Sequence, residues 1–330
     1  MIRKTSTKGM TKEQWLEARS HSIGGSEIGA IMGLSPFADA YSVYCEKTGK
    51  VPPFEGNLAT EVGTALEDFV ARKFSEISGL TVNRTNFLWR NDAYPILHAS
   101  PDRLVLNGKS NRDFLAGLEC KTTSAYNATK VHDVDFPAIY YGQCVQYMMV
   151  TGIRRWYLAV LVGNSEFHIF GLTLDNGVEK PDWCESMVYV PQSDIDGLWQ
   201  MAQEFWDRLE RKDPPLPVGS DADERTIRKV YADVVPGTMD LYGREKLLQQ
   251  YMDAKAAADA ADKEKKRLEQ MIQIEMAGHE DGECIGYKVK WRMQDGRQTF
   301  DSKACLARFP ECSEFVKVGK PFRKFEVKKL

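Results

Sequence analysis

Asp102, Glu119 and Lys121 are the residues whose types and spacing could do chemistry. If Leu118-Glu119-Cys120-Lys121 is a strand, its side chains alternate faces. Glu119 and Lys121 then point one way while Leu118 and Cys120 face the core. An acid and a base projecting together from an otherwise apolar strand are unusual. Asp102, in Ser100-Pro101-Asp102 at the start of the preceding strand, can sit opposite them if the two strands pair. Two neighbouring carboxylates suit hard divalent cations such as Mg2+, which take oxygen ligands and keep waters that a substrate can displace. The backbone carbonyl of Cys120 could supply a further ligand. A metal held there would lower the pKa of a bound water and neutralise charge on a leaving oxygen. Lys121 would position the attacking water or stabilise charge developing on phosphorus. The same residues are also compatible with a surface ion pair on a hairpin, which is worth little.

Several elements must position these groups. Thr11 to Gln14 reads as a capping box opening a short helix that carries Trp15 and Leu16. Gly24-Gly25-Ser26 follows as a turn, with Ser26 expected to cap a second helix ending near Gly33, and residues 40–48 suit a third. From Thr64 an amphipathic helix places Leu66, Phe69, Val70, Phe74 and Ile77 on one face and stops at Gly79. Strands are predicted over residues 87–90, 96–99, 102–106 and 117–121, with polar residues 109–113 as a hairpin turn. A helix over 137–151, a buried strand over 155–162, its partner over 166–173 and a helix over 193–212 complete the pattern. Trp156 and Tyr157 read as core. His98 has no assigned role and reads as structural.

Asp213-Pro214-Pro215-Leu216-Pro217 is the strongest breaker in the chain and the expected domain edge, giving a first domain over 1–217 and an extension over 218–330. In the extension, residues 241–277 read as one long helix. Leu247, Tyr251, Ala254, Ala258, Ala261, Lys265, Leu268, Ile272 and Glu275 step 4-3-4-3 along it. That spacing suits packing on its own domain, or a coiled-coil or partner-binding strip. A small β unit (286–291, then 298–300) and a basic tail close the chain, with six Lys or Arg against one Glu from 315 to 330. The tail could add salt-dependent affinity for a phosphate chain or be a solvated face.

Composition narrows the class. At 330 residues, 43% hydrophobic and 28% charged, the chain matches an ordinary globular protein with room for a large domain and an appendage. Its longest apolar runs are too short to span a bilayer, and the basic N-terminus lacks the apolar segment of a secretory signal. Seven scattered cysteines, without a CxxC or a Cys/His cluster, argue against a disulfide framework or structural zinc and point to a reducing cytoplasm. A net charge of −3 is compatible with a DNA enzyme whose positive charge is local.

Ser100-Pro101-Asp102, Glu119-Cys120-Lys121 and Tyr141-Gly142-Gln143-Cys144-Val145-Gln146-Tyr147 together resemble the PD-(D/E)XK nuclease superfamily. More narrowly they resemble its YqaJ-like branch of viral recombinases, related to lambda exonuclease, over roughly residues 12–210. The resemblance implies an α/β fold, a mixed central sheet flanked by helices, with the C-terminal residues as an α+β extension. It implies that Asp102 and Glu119 hold metal, two Mg2+ ions with Mn2+ as a substitute, and that Lys121 is the catalytic lysine. Glu67, in Gly63-Thr64-Ala65-Leu66-Glu67, matches the helix glutamate of the metal site, although its own segment allows an exposed acid. Gln143 and Gln146, at i and i+3, match glutamines lining the site behind the lysine; by themselves they read as solvent-facing. Trp15-Leu16-Glu17-Ala18-Arg19 and Gly24-Gly25-Ser26 resemble the opening in which an arginine and a serine, here Arg19 and Ser26, contact a DNA 5′-phosphate. A Gly-rich turn feeding a helix, beside a guanidinium, is a physically reasonable anion site.

The activity implied is a Mg2+-dependent 5′-to-3′ exonuclease on linear double-stranded DNA, acting as a homotrimer. It would leave 3′ single strands for an annealing protein of the Red-beta or RecT type, in a bacterial cell carrying a phage or prophage. Two other readings stand beside it. One is an endonuclease of the restriction or junction-resolving kind with the same core. The other is an inactive DNA-binding recombination scaffold, against which the intact Asp102, Glu119 and Lys121 argue.

Overall fold

Strong local signals set most element ends. In the computed structural model, residues 1–108, 113–317, 319 and 323–328 are described. The expected hairpin turn at 109–113 therefore falls, apart from Asp113, outside the described residues. The chain divides into two compact units, Met1–Val234 and Val235–Leu330.

In the first unit, β1 (Ile2–Ser6) leads to α1 (Lys12–Ser20), where Thr11 and Gln14 form the expected capping box. Helix α2 (Gly25–Ile31) follows, then α3 (Ala40–Lys47), capped by Asp39. Helix α4 (Leu58–Ser78) begins earlier than its apolar stripe suggests, because Asn57 accepts from the Thr60 N–H and starts an extra turn and a half. Gly79, at φ 72°, closes it in the left-handed conformation that glycine adopts without strain. Strands β2 (Val82–Arg84), β3 (Phe87–Asn91), β4 (His98–Ala99), β5 (Arg103–Leu106) and β6 (Phe114–Thr123) come next. A 3-10 turn at Ala125–Lys130 then leads to α5 (Ala138–Thr151). Strands β7 (Arg155–Val162), β8 (Glu166–Thr173) and β9 (Ser186–Tyr189) precede α6 (Gln192–Arg211) and α7 (Asp221–Val230).

The main sheet runs β2-β5-β6-β7-β8-β9, while β1, β3 and β4 form a small antiparallel sheet. Strands β6 and β7 are parallel, as are β8 and β9; the other pairs in the main sheet are antiparallel. A parallel pair needs a crossover, and α5 supplies it between β6 and β7. One sheet face, carrying Leu118, Cys120, Tyr157 and Ala159, packs under Val70, Ala71 and Phe74 of α4. On the other face Trp156 and Leu172 join α5, α2, α3 and α6 in the largest core, and Leu158, Val160 and Phe170 form a smaller cluster. This is the mixed α/β architecture that the resemblance implied.

Three expectations need correction. The first unit does not end at the proline-rich stretch. Ser220 hydrogen-bonds Asp39, Arg225 donates to the Phe37 carbonyl, and Ala222 and Thr226 are buried, so α7 belongs to the unit that α3 helps build. Ser26 is not a helix cap: Gly24 is, and Ser26 lies exposed in the first turn. In the second unit the paired strands are β10 (Asp281–Cys284) and β11 (Tyr287–Lys290); residues 298–300 form no strand.

The second unit also holds α8 (Glu245–Met276) and α9 (Ser302–Arg308). Among the described residues, Met276 alone of α8 is buried, so the helix is not packed along its length. Its middle, Ala254 to Arg267, offers small and charged side chains rather than a wide apolar stripe. Local pairs such as Glu264 with Arg267 and Lys265 with Glu269 support it instead.

Candidate active site

Strand pairing brings the three chemical residues together. Arg103 of β5 lies opposite Leu118 of β6, which puts Asp102 beside Glu119 at the end of that ladder. Beyond Leu118, β6 pairs only with β7, and the Cys120 N–H donates to Asp102 Oδ2 at 2.9 Å. A strand residue directs its N–H and C=O to the same edge, so the Cys120 carbonyl also faces the Asp102 side.

Glu119 is 2% exposed. Its Oε1 accepts from Lys121 Nζ at 2.8 Å and from Gln143 Nε2 at 2.5 Å. Its Oε2 is buried and has no hydrogen-bond partner among the described residues. Such an atom costs free energy unless a cation or donor meets it. Lys121 lies with its ammonium 5.5 Å from the Tyr140 ring centre, and Gln143 also donates to the Tyr147 hydroxyl at 3.1 Å.

The charges are strained against each other. Burial, then the charge of Glu119, pushes the Asp102 carboxyl well above the usual range. Burial raises Glu119 too, although Lys121 and Gln143 oppose the rise. Burial alone would lower the Lys121 ammonium, but Glu119 and Asp102 outweigh it and hold the lysine charged. The site therefore crowds the acids Asp102, Glu119 and Glu67 together, with the Lys121 ammonium on Glu119. A divalent ion fits this donor set: hard carboxylate oxygens from Asp102 and Glu119, one of them unpartnered, with the Cys120 carbonyl alongside.

Glu67, on the α4 side of the sheet, is bound by Arg103, which also grips Asp68. Its charge is nevertheless among those raising Asp102 and Glu119. Arg103, 3% exposed, was not singled out by sequence reasoning. The available signal was a charged residue opening the apolar run Leu104-Val105-Leu106 immediately after Asp102. Tyr147 was likewise missed as a site residue. Burial, followed by Glu119 and Asp102, holds its phenol well above the usual range, so it stays neutral.

Gln146 takes a different place from Gln143. Fully buried, it donates to the carbonyls of Ile23 (2.9 Å) and His98 (2.8 Å) and so fastens α5 to the segment before α2 and to β4. Arg19 stacks on Trp15, 4.1 Å from the ring centre, and reaches the Gly24 turn. A Cβ on Gly24 would lie 3.0 Å from the Arg19 guanidinium and 2.9 Å from His98 Nε2. On Gly25 it would meet the Tyr147 ring at 2.6 Å and Gln143 Cγ at 2.7 Å. The two glycines thus allow the start of α2 to press against the site. The Gly24 N–H is already taken by Glu27 at 2.6 Å, and Glu27 pairs with Lys47.

Comparison with known proteins gives three findings. The model of the YqaJ-like viral recombinase domain matches residues 14–154, which contain every one of the site groups above. The uncharacterized protein YqaJ of Bacillus subtilis (strain 168) is 32% identical over 328 residues, covering 97% of this chain and 95% of that protein. Solved structures with partial likeness include an alkaline exonuclease, LHK-Exo, from Laribacter hongkongensis, at 17% identity and a TM-score of 0.42. That match covers 66% of this chain and all of that one. A phage related exonuclease from Haemophilus somnus 129PT matches at 12% identity and a TM-score of 0.39, covering 58% of this chain and 96% of the other.

Proposed function

This chain belongs to the YqaJ family, and from that premise we propose that it is a divalent-metal-dependent deoxyribonuclease digesting linear duplex DNA from its 5′ ends. The buried Oε2 of Glu119, without a hydrogen-bond partner among the described residues, carries the reading, because it is a ligand atom left open beside Asp102. Asp102, Glu119 and the Cys120 carbonyl would hold Mg2+, for which Mn2+ would substitute. Glu67 would join them by exchanging part of its hold on Arg103. A metal bound there supplies an acidified water and neutralisation of phosphate charge. Lys121, kept cationic by its two acids, stabilises charge on the reacting phosphate. Gln143 holds Glu119 Oε1 so that Oε2 stays directed into the site.

Arg19 favours end recognition over internal cutting. Among the described residues its guanidinium has neither an ion pair nor a hydrogen bond and rests on Trp15 beside the Gly24 turn. That leaves its donors for a terminal phosphate, with the Ser26 hydroxyl exposed in the next turn. The 3′ single strands produced would pass to a single-strand annealing protein of the Red-beta or RecT type, and a homotrimer would enclose the duplex.

The test incubates the protein with Mg2+ on three substrates: linear duplex with a 5′-phosphate, the same duplex without it, and closed circular DNA. Loss of the 5′-phosphorylated duplex first, with the circle intact, is expected. Cutting of the circle would instead indicate an endonuclease, and no cutting of any substrate an inactive scaffold. Asp102→Ala should be inert, and Arg19→Ala should lose the preference for the phosphorylated end.

A further inference from the structure

Away from the acid centre, His132, Glu166 and His168 converge, with one ligand atom from each lying within 4.8 Å of the others. His132 follows the 3-10 turn after β6, whereas Glu166 and His168 stand at i and i+2 on one face of β8. Glu166 Oε2 lies 2.6 Å from His132 Nε2 and 3.5 Å from His168 Nε2. The edge of a tetrahedral site with Zn–N and Zn–O bonds of about 2.0 Å is roughly 3.3 Å. Of the three edges, that between Glu166 and His168 fits, that between Glu166 and His132 needs an opening of under about 1 Å, and that between His132 and His168 is at most 4.8 Å.

A second observation concerns orientation. His168 Nδ1 is 2.7 Å from Glu185 Oε1, just before β9, so Nε2 is the nitrogen that faces Glu166. A carboxylate on the far nitrogen fixes both tautomer and ring angle, as it does behind metal-bound histidines. His168 is only 17% exposed, while His132 and Glu166 open to solvent. The two imidazoles lie 5.1 Å apart, tilted by 49°.

We propose that His132, Glu166 and His168 form a second metal site that takes a borderline divalent ion of the Zn2+ class, with Glu185 positioning His168. Two imidazoles and one carboxylate select Zn2+, Co2+ or Ni2+ over Mg2+, which prefers oxygen. The site is separate from the acid centre. Lys121 pairs with Val160 and Val160 with His168, so two strand spacings, about 10 Å, divide them along one sheet face. Bound metal would clip the segment joining β6 to α5 onto β8. That segment leads from Lys121 to Gln143, so the clip would hold the two ends of the catalytic arrangement at a fixed spacing.

The test uses the full chain carrying Asp102→Asn and Glu119→Gln, stripped of metal and titrated with Zn2+ against a chelator, and with Co2+ followed by visible absorption. One Zn2+ per chain is expected, lost on adding His132→Ala or His168→Ala. Glu185→Gln, a surface change that keeps the fold, should weaken binding about 10–100-fold. Absence of Zn2+ binding in the doubly substituted chain would overturn the site. So would an affinity that none of the His132, His168 and Glu185 substitutions changes.

Discussion

Glu119 divides its two oxygens between two tasks. One is held by Lys121 and Gln143, and the other is kept bare. Lys121→Ala should lower the single-turnover rate on linear duplex by about 10²–10³-fold, the scale for loss of one preorganised charge-stabilising donor. DNA affinity should change far less, as a binding titration on uncleaved duplex would show. His98 gives a different residue-scale expectation. Burial first, then Arg19 and other cations, depresses its pKa well below the ordinary value, and it stays neutral while bonded to Ser22 at 2.8 Å. The unfolded chain binds a proton there below about pH 6.5, where the folded chain does not. Stability from this residue is therefore complete above that pH and lost as pH falls toward the depressed value. Denaturant midpoints measured between neutral and mildly acid pH should fall, and His98→Gln should flatten the slope.

At the scale of elements, the glycines that open α2 decide how closely it meets α5. Gly25→Ala would drive a methyl into Tyr147 and Gln143, costing about 1–3 kcal/mol as overpacking does. Activity should fall with it, because Gln143 is the group displaced; unchanged kinetics would show that α5 yields without moving the glutamine. The strands and helices around the site were legible because alternation and 3.6-residue spacing repeat over many residues. Glu119 and Lys121 could be read onto one strand face in that way. The role of Arg103 could not, since the partner it holds lies in α4, more than thirty positions earlier. Gln146 was similarly opaque: its partners are backbone carbonyls, which carry no residue identity. Ser26 was misplaced as a cap because Gly24, one of the residues tolerated there, opens the helix two positions sooner.

For the whole molecule, the edge of the first unit matters most to experiment. A chain ending after Val234 retains α7, with Ser220 on Asp39 and Arg225 on Phe37. One ending at Pro217 exposes the buried surface of α3 beneath it. The longer truncation product should remain folded and cleave linear duplex, whereas the shorter should melt at lower temperature; equal melting would show that α7 contributes nothing. The proline run misled because a break in helical pattern marks a bend in the chain, not the end of its packing.

Strand β6 is gripped on both sides at Gly117 and Leu118, by β5 alone before them and by β7 alone beyond them. In mechanical language it is a beam clamped at Gly117 and Leu118, with Glu119 and Lys121 on the arm that β7 alone supports. Its root is Gly117, seated on the Trp156 ring so closely that a Cβ there would lie 2.3 Å from ring carbons. A small rotation at such a root is magnified along the arm. Trp156→Phe, which touches neither acid nor lysine, should therefore slow cleavage by more than its loss of stability explains, when rates are compared at temperatures where both proteins are fully folded. Stiffness at a buried indole would then be a determinant of rate at the tip.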